Sequence, residues 1–416
     1  MYYNYCGDNM KERFYKYACL LLDKGLNIQK GQPLIITAPI ESIEFIRVLS
    51  KCALDRGIVD IYYDWIDDEL KHQQLLSLSN DDISNSRFFN KKIYDEYAKK
   101  DGAFLMLVSE NPDIMCDIDS FKLDYASRIS RTSRPFYKKR QSTNDVAWCI
   151  ASVSTYGWAH KIFNDVDCVD KLWNLIFSIC LIDKNDPIME WDNKLSISSK
   201  RCDVLNNLNI KSLHYTNSLG TDLCVGLSRG AKWIGAGEAM SNGRKIIANI
   251  PSEEIFTSPN RLMTNGIVYS SKPLVYNGYI IDNFWIEFKD GKVVSFDASR
   301  GKDILESIIK GDGTSCYLGE CALVPYNSPI SNSGVIFYTT LFDENASCHL
   351  ALGTGFPNTL GGTEGKEKDE LISMGLNVSD VHVDFMIGTS DLKIEGITYE
   401  GESVLIFKDG NFSIDV

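Results

Sequence analysis

Several features of secreted and membrane-bound proteins are missing from this sequence. It begins MYYNYCGDNMKERF, without an apolar segment flanked by positive charge, so we predict no secretory signal. No apolar run approaches the roughly 18 residues that a membrane-spanning helix needs. The 12 cysteines form no CxxC pair, and scattered cysteines in a long chain without a signal are typical of reduced thiols. We therefore expect a cytoplasmic protein without a membrane partner.

Positive charge is also scarce. The chain has 43 Lys and Arg against 56 Asp and Glu, for a net charge of -13. A negative surface repels phosphate backbones, so we expect no nucleic-acid partner. The one basic stretch, residues 128–140, is interpreted as a solvated helix or loop face. The N-terminal half contains neither GxGxxG nor GxxxxGK[ST], so no motif supports a nucleotide-binding role there.

The length of 416 residues predicts two domains, because it exceeds what one hydrophobic core usually serves. The first half alternates helical patterns, such as Glu41–Arg56, with short apolar runs. Those runs predict strands at Pro33–Thr37, Ile58–Trp65, Ala103–Val108 and Asp145–Val153. Strands that alternate with helices favour a mostly parallel sheet. We therefore predict an N-terminal α/β scaffold domain over residues 1–185.

The remainder of the chain is rich in short strands and glycine-containing turns. It follows the polar run DKNDP at residues 183–187. Asp290-Gly291 and Asp409-Gly410 are hairpin signals, and one long helix is predicted at Ala298–Ile309. The predicted fold class is thus α/β, with a strand-rich α+β catalytic domain over residues 186–416.

Histidine is rare, and two of the five histidines lie among acidic residues. His349 follows Glu344 in LFDENASCHLALG, and His382 stands two residues before Asp384 in VHVDF. Residues two apart in a strand share a face, so His382 and Asp384 could hold one ion. Glu320 lies in the apolar segment YLGECALVP, where a carboxylate is costly unless it is paired or bound to metal.

Glu253 and Glu254, between two prolines in NIPSEEIFTSP, are further candidates. Oxygen and imidazole donors suit zinc, cobalt, manganese or magnesium at a hydrolytic centre. Other interpretations remain open, since such histidines are often core residues and adjacent glutamates are often surface residues. Cys321 and Cys348 could be soft ligands, although packing roles are favoured.

Five segments resemble the thermophilic aminopeptidases, a family of two-metal exopeptidases. In the family's order they are GTDLCVGL, NIPSEEIFTSP, GECALVPYNSPI, LFDENASCHLALG and HVDFMIGT. The resemblance implies two divalent ions, peptide substrates with a free N-terminus and a homodimer. It also implies the metal ligands Glu254, Glu320, Glu344, His349, His382 and Asp384. Glu253 then becomes a candidate general base or a residue that supports the ligands.

One position departs from the family pattern. A tyrosine with an assigned catalytic role usually precedes the proline that follows the ligand histidine, but here GTGFP places Phe356 there. Phenylalanine cannot donate a hydrogen bond or a proton. Tyr326 or Tyr338 could replace it, or the role could be dispensable. Two alternatives to an active aminopeptidase stay open: a weak or silent metal- or peptide-binding homologue, and another binuclear hydrolase such as an esterase or amidase.

Overall fold

The chain divides into two compact units in a computed structural model that describes residues 8–109, 111, 113–235, 237–276 and 279–414. One unit holds Met1–Asn193 and Gly237–Pro251, and the other holds Lys194–Ala236 and Ser252–Val416. The boundary predicted between residues 185 and 186 lies just before the helix Pro187–Asn207, within which the chain passes from one unit to the other. Among the described helices, none has the length and apolar character that a bilayer crossing requires.

The first unit is built on a four-stranded sheet in which all strands are parallel. Its strands are β1 (Leu34–Pro39), β2 (Ile61–Ile66), β3 (Ala103–Val108) and β4 (Ala147–Ser152). They lie in the order β2-β1-β3-β4. Every residue of β1 is buried, as expected for a central strand covered on both faces. The predicted α/β architecture with a mostly parallel sheet is confirmed.

Helices connect these strands, and further helices follow β4 along the chain. A π-helix at Leu20–Gly25 extends the helix Asp8–Cys19, and a 3-10 helix at Ile40–Ser42 precedes the helix Ile43–Asp55. In chain order the α-helices are α1 (Asp8–Cys19), α2 (Ile43–Asp55), α3 (Asp68–Ser77), α4 (Asn80–Asn85), α5 (Ile93–Lys99), α6 (Ser120–Thr132), α7 (Pro135–Ser142), α8 (Tyr156–Phe163), α9 (Cys168–Ile179) and α10 (Pro187–Asn207).

The rest of the chain is rich in strands, as predicted. The strands are β5 (Ile210–Thr216), β6 (Asp222–Gly226), β7 (Ile234–Gly235), β8 (Glu238–Ala239), β9 (Lys245–Ile246), β10 (Ile255–Thr257), β11 (Thr264–Tyr269), β12 (Leu274–Tyr276), β13 (Tyr279–Lys289), β14 (Lys292–Arg300), β15 (Leu318–Leu323), β16 (His349–Gly353), β17 (His382–Met386), β18 (Lys393–Thr398), β19 (Ser403–Lys408) and β20 (Asn411–Phe412). The α-helices are α11 (Lys302–Ile309), α12 (Pro329–Asn332), α13 (Thr340–Asp343) and α14 (Lys368–Ser373), with 3-10 helices at Glu344–Ala346 and Pro357–Thr359.

Two antiparallel sheets form the second unit. A nine-stranded sheet has the order β12-β13-β11-β6-β5-β18-β19-β20, and β14 pairs with β13 outside this path. A five-stranded sheet has the order β17-β16-β15-β10-β7. β8 and β9 form a separate ribbon in the segment that belongs to the first unit. One hydrophobic core contains residues of both large sheets, such as Leu213 and Val225 of the larger one and Leu350 and Phe385 of the smaller one.

Both predicted hairpin turns are confirmed. Asp290 and Gly291 have φ angles of 49° and 81° between β13 and β14, and Asp409 and Gly410 have 50° and 69° between β19 and β20. Positive φ at both central residues is the requirement of a type I′ turn. The helix predicted at Ala298–Ile309 was wrong at its start. Ala298 pairs with Phe284 in the β13–β14 ladder, so the strand continues to Arg300 and the helix begins at Lys302.

Candidate metal centre

The five-stranded sheet has two chemically different faces. Leu350, Leu352, Val383 and Phe385 project into the hydrophobic core. Side chains alternate along a strand, so His349 and Ala351 of β16 and His382 and Asp384 of β17 project from the opposite face. Ala351 pairs directly with Asp384, and Gly353 pairs with His382. The small residues at these two positions leave space beside the polar side chains.

A β-bulge at Gly319 places Glu320 on the same face. The pairing of β15 with β16 shifts between Leu318 and Glu320, so that Glu320 lies opposite Ala351. Leu318 and Cys321 both belong to the core although they are three residues apart, which requires the extra residue of a bulge. A Cβ at position 319 would stand 2.1 Å from the backbone oxygen of Thr354, so only glycine fits there.

The substitution Gly319→Ala is expected to disturb both the fold and the site. The added methyl group overlaps the Thr354 carbonyl, so the free energy of unfolding should fall by about 1–3 kcal/mol. Bound metal should fall as well, because Glu320 is displaced. The control is Gly361→Ala, where the nearest heavy atom is 3.7 Å from the new Cβ. Denaturant unfolding and elemental analysis of both variants would check this, and unchanged metal content in Gly319→Ala would contradict the role given to the bulge.

Five predicted residues come together within ligand distance. Donor atoms of Glu254, Glu320 and His349 lie within 4.8 Å of one another, as do those of Glu320, His382 and Asp384. The two groups share Glu320. His349 Nε2 lies 3.3 Å from Glu254 Oε2. His382 Nε2 lies 3.1 Å from both Glu320 Oε2 and Asp384 Oδ1.

Both histidines are oriented by backbone carbonyls. His349 Nδ1 is 3.1 Å from the oxygen of Ser347, and His382 Nδ1 is 2.9 Å from the oxygen of Thr354. A carbonyl only accepts hydrogen bonds, so each Nδ1 carries a hydrogen and each neutral imidazole keeps its lone pair on Nε2. Each Nε2 faces carboxylate oxygens, which also only accept, so it needs either a proton or a bound cation. Asp384 Oδ1 is in addition buried without a hydrogen bond. This donor set fits a divalent cation.

The pKa shifts of the clustered residues also favour a bound cation. Burial raises the pKa of Glu320, against a lowering effect of His382. Burial opposes the charged form of His349, but the Glu254 carboxylate outweighs it and raises the pKa of His349 to about 10. Asp384 and Glu320 likewise raise the pKa of His382 despite its burial. The carboxylates therefore draw positive charge into the space between them, which a bound cation would supply.

Glu344, the sixth predicted ligand, lies near the cluster without joining either ligand group of the described residues. Burial raises the pKa of Glu344, and the charges of Glu254 and Asp384 raise it further. Asn345 connects this segment to the other candidates. Its Nδ2 donates to Glu344 Oε1 at 3.3 Å, and its Oδ1 accepts the Glu253 backbone N–H at 2.7 Å. No sequence pattern points to Asn345, because its role depends on contacts across the fold.

Glu253 and Glu254 face different partners, as expected for neighbours in an extended segment. Whereas Glu254 contacts His349, Glu253 Oε1 accepts a hydrogen bond of 2.5 Å from Lys194 Nζ. Lys194 belongs to α10 and is another residue that sequence reasoning missed. It stands far from Glu253 in sequence, so spacing could not have revealed it.

Phe356 lies beside the cluster. Its ring centroid is 5.0 Å from that of His382 and 5.3 Å from that of Phe256. Of the two tyrosines considered as replacements, Tyr326 is 43% exposed and donates its backbone N–H to Gly410. Tyr338 has a positive φ of 56°, which is rare for a bulky residue and concentrates at functional sites.

Cys321 and Cys348 lie in the hydrophobic core, away from the polar face. The Cys348 thiol donates to the backbone oxygen of Val324 and accepts its N–H, both at 3.3 Å. These contacts agree with the packing roles that were favoured from the sequence.

Comparison with known proteins identifies close relatives along almost the whole chain. Residues 10–412 match the profile of a family described as thermophilic metalloprotease (M29). Aminopeptidase 2 of Geobacillus stearothermophilus is 38% identical over 404 residues, covering 96% of this chain and 98% of that protein. Aminopeptidase AmpS of Bacillus subtilis (strain 168) is 36% identical over 409 residues, covering 98% and 100%. The solved structure of wild-type AmpT from Thermus thermophilus superposes with a TM-score of 0.90 at 29% identity, covering 97% of this chain and 100% of that one.

Proposed function

The chain belongs to the thermophilic metalloprotease (M29) family, and from this premise we propose that its cluster of carboxylates and histidines is the catalytic centre. The family resemblance predicted from the five sequence segments is confirmed. The chain is a metal-dependent aminopeptidase, a hydrolase that removes residues from the N-termini of peptides. The observation that supports the proposed site is the pair of imidazoles whose Nδ1 atoms meet carbonyls and whose Nε2 atoms meet carboxylates.

We propose that these residues would hold two divalent ions, with Glu320 a member of both ligand groups. Support comes from the two overlapping ligand groups, one with Glu254 and His349 and the other with His382 and Asp384. Glu344 completes the proposed set of six. Zinc, cobalt, manganese and magnesium all suit these oxygen and imidazole donors.

The proposed mechanism assigns separate roles to the charged residues. Divalent ions held by these residues would supply Lewis-acid polarisation of the scissile carbonyl and would lower the pKa of water. The carboxylate of Glu253 accepts a proton from the attacking water and returns it to the leaving amine. Lys194 holds that carboxylate in place through its 2.5 Å contact. The free amine of the substrate's first residue would bind at the metal centre or to a nearby carboxylate, which would restrict hydrolysis to the N-terminal bond.

Replacement of Glu253 by Gln is expected to separate catalysis from metal binding. The amide keeps the shape of the side chain but cannot accept a proton from water, so kcat should fall by about 10²–10⁴-fold. Metal content should remain that of the unmodified protein, because Glu253 lies outside both ligand groups. Kinetics and elemental analysis on the same preparation would check this. Loss of metal from Glu253→Gln would instead make Glu253 a ligand or a support for one.

The proposed function is tested with leucyl-p-nitroanilide and its N-acetyl derivative. Hydrolysis of the free-amine substrate should disappear after chelation and return with Co²⁺ or Zn²⁺, and the acetylated substrate should stay intact. Equal hydrolysis of both substrates would favour a different binuclear hydrolase. If the folded, metal-loaded protein hydrolysed no aminoacyl amide, this result would support a second candidate, a silent metal- or peptide-binding homologue. Phe356 is the residue that favours this second candidate.

Three further assignments complete the proposal. A cytoplasmic location is supported by the cysteines that the structure describes, which are all free. A homodimer is proposed from the family resemblance, and light scattering on the purified protein would test it. The first of the two units is proposed as a scaffold domain, because the proposed ligands all belong to the second unit.

A further inference from the structure

A cavity of about 300 Å³ lies in the first unit, at the carboxyl-terminal half of its parallel sheet. Thr37 of β1 pairs in register with Asp64 of β2 and Met106 of β3, so these three lining side chains project from one face. The sheet has the order β2-β1-β3-β4, so the connection after β1 runs towards one edge of the sheet and the connection after β3 runs towards the other edge. The strand order therefore reverses between β1 and β3. Open α/β sheets bind ligands at the carboxyl ends of strands beside such a reversal. The cavity therefore has the location of a ligand site.

Positive charge predominates around this cavity. Lys71, Lys91, Arg131 and Arg134 line it, and Asp64 is the only carboxylate among its described lining residues. The charge of Asp64 is already paired, because both of its oxygens accept hydrogen bonds from Lys91 Nζ, at 2.6 and 2.8 Å. Of the other three cations, Lys71 interacts with the Asp68 carboxylate outside the lining, and Arg131 and Arg134 have no counter-charge within it.

Arg134 is the least expected of these cations. Although residues 128–140 were interpreted as a solvated face, Arg134 is only 9% exposed, and that interpretation was wrong for it. Its Nε is buried without a hydrogen bond. Its guanidinium carbon lies 4.7 Å from the ring centroid of Tyr94 and 5.5 Å from that of Tyr137.

Aromatic contacts offset only part of the cost of burying a guanidinium, and an anion would offset more of it. The same excess of positive charge affects the neighbouring Lys138. Burial lowers the pKa of Lys138 to about 8, and the guanidinium groups of Arg134 and Arg131 contribute to the shift.

The remaining walls are apolar. Trp65, Leu75, Phe88 and Phe89 line the cavity beside the polar groups. A volume of about 300 Å³ is at the small end of ligand pockets. We propose that this cavity binds a small organic anion, a carboxylate or phosphate group carried on an apolar body, with Arg134 as the main contact to the anionic group. The site consists of residues of the first unit only and is separate from the metal centre.

Calorimetric titration of the full chain with benzoate and phenyl phosphate tests the proposal, with benzamide and phenol as uncharged matches. We expect saturable binding of at least one anion at a Kd of about 1 mM or tighter. Arg134→Gln should weaken that binding by about tenfold or more, since it removes a charge-assisted contact. Arg128→Gln is the matched control, because Arg128 is exposed and does not line the cavity.

A second variant keeps the test decisive if Arg134→Gln does not fold. Arg131 is exposed and also lines the cavity, so Arg131→Gln should fold and also weaken binding. Circular dichroism would establish the folding of each variant. The proposal is overturned if neither anion binds saturably, if the uncharged compounds bind equally well, or if every folded variant binds like the unmodified protein. Loss of anion binding with unchanged leucyl-p-nitroanilide hydrolysis separates this site from the proposed catalytic function.

Discussion

Replacement of Glu320 by Gln is expected to remove bound metal and to lower kcat/KM by about 10³-fold, equivalent to about 4 kcal/mol of transition-state stabilisation. Glu320 is only 4% exposed and is common to both ligand groups. An amide keeps its volume but presents an NH₂ group where a negative oxygen is needed. This one substitution should therefore weaken the binding of both proposed ions. Parallel elemental analysis and leucyl-p-nitroanilide kinetics would measure the two effects.

The matched control for this experiment is Glu287→Gln. Glu287 is an exposed strand residue of β13 and belongs to the other sheet of the second unit, so metal content and activity should not change. Full metal occupancy in Glu320→Gln would refute Glu320 as a ligand. Loss of activity with retained metal would move Glu320 from the ligand set to a role in proton transfer.

Phe356→Tyr is expected to raise kcat, by up to about 10²-fold if the hydroxyl supplies a hydrogen bond to the transition state. The ring stands beside His382, with 5.0 Å between their centroids, and the family resemblance gives the tyrosine at this position a catalytic role. KM should change less than kcat, because the added hydrogen bond is made mainly in the transition state.

Phe256→Tyr is the control for Phe356→Tyr. Phe256 packs against Phe356, so it tests the addition of a hydroxyl to the next ring. An increase confined to Phe356→Tyr would explain the phenylalanine as a weakening substitution. If both variants match the unmodified protein, the tyrosine is dispensable in this chain, and Tyr338, with its unusual backbone angle, becomes the next residue to replace by phenylalanine.

Part of the candidate site can be predicted from the sequence by local rules. His382 and Asp384 share a strand face because side chains alternate, which is a local rule. The conclusion that Glu320 needs a partner came from its apolar neighbours. Both arguments use only adjacent residues. The approach of Glu254 to His349 depends on the pairing of three strands, and there the family resemblance supplied what local patterns could not.

The features that were predicted wrongly or not at all also depend on contacts between residues that are distant in sequence. The helix predicted from Ala298 gave way to strand because Phe284, fourteen positions earlier, offers a ladder partner. Neither Lys194 nor Asn345 could be linked to Glu253 from sequence, because their contacts are set by tertiary packing. A basic stretch on a helix usually faces solvent, and nothing in its spacing reveals that Arg134 is enclosed by Tyr94 and Tyr137.

The concentration of like charges on one sheet face has a consequence for the amount of this protein in a cell. Without a cation, the buried carboxylates of Glu320 and Asp384 and their neighbours repel one another, so the empty protein is less stable than the loaded one. An ion present at about 100 times its Kd would add roughly 2.7 kcal/mol to the free energy of unfolding. A difference of that size changes how much chain escapes proteolysis. Metal starvation would then lower the abundance of the protein as well as its turnover.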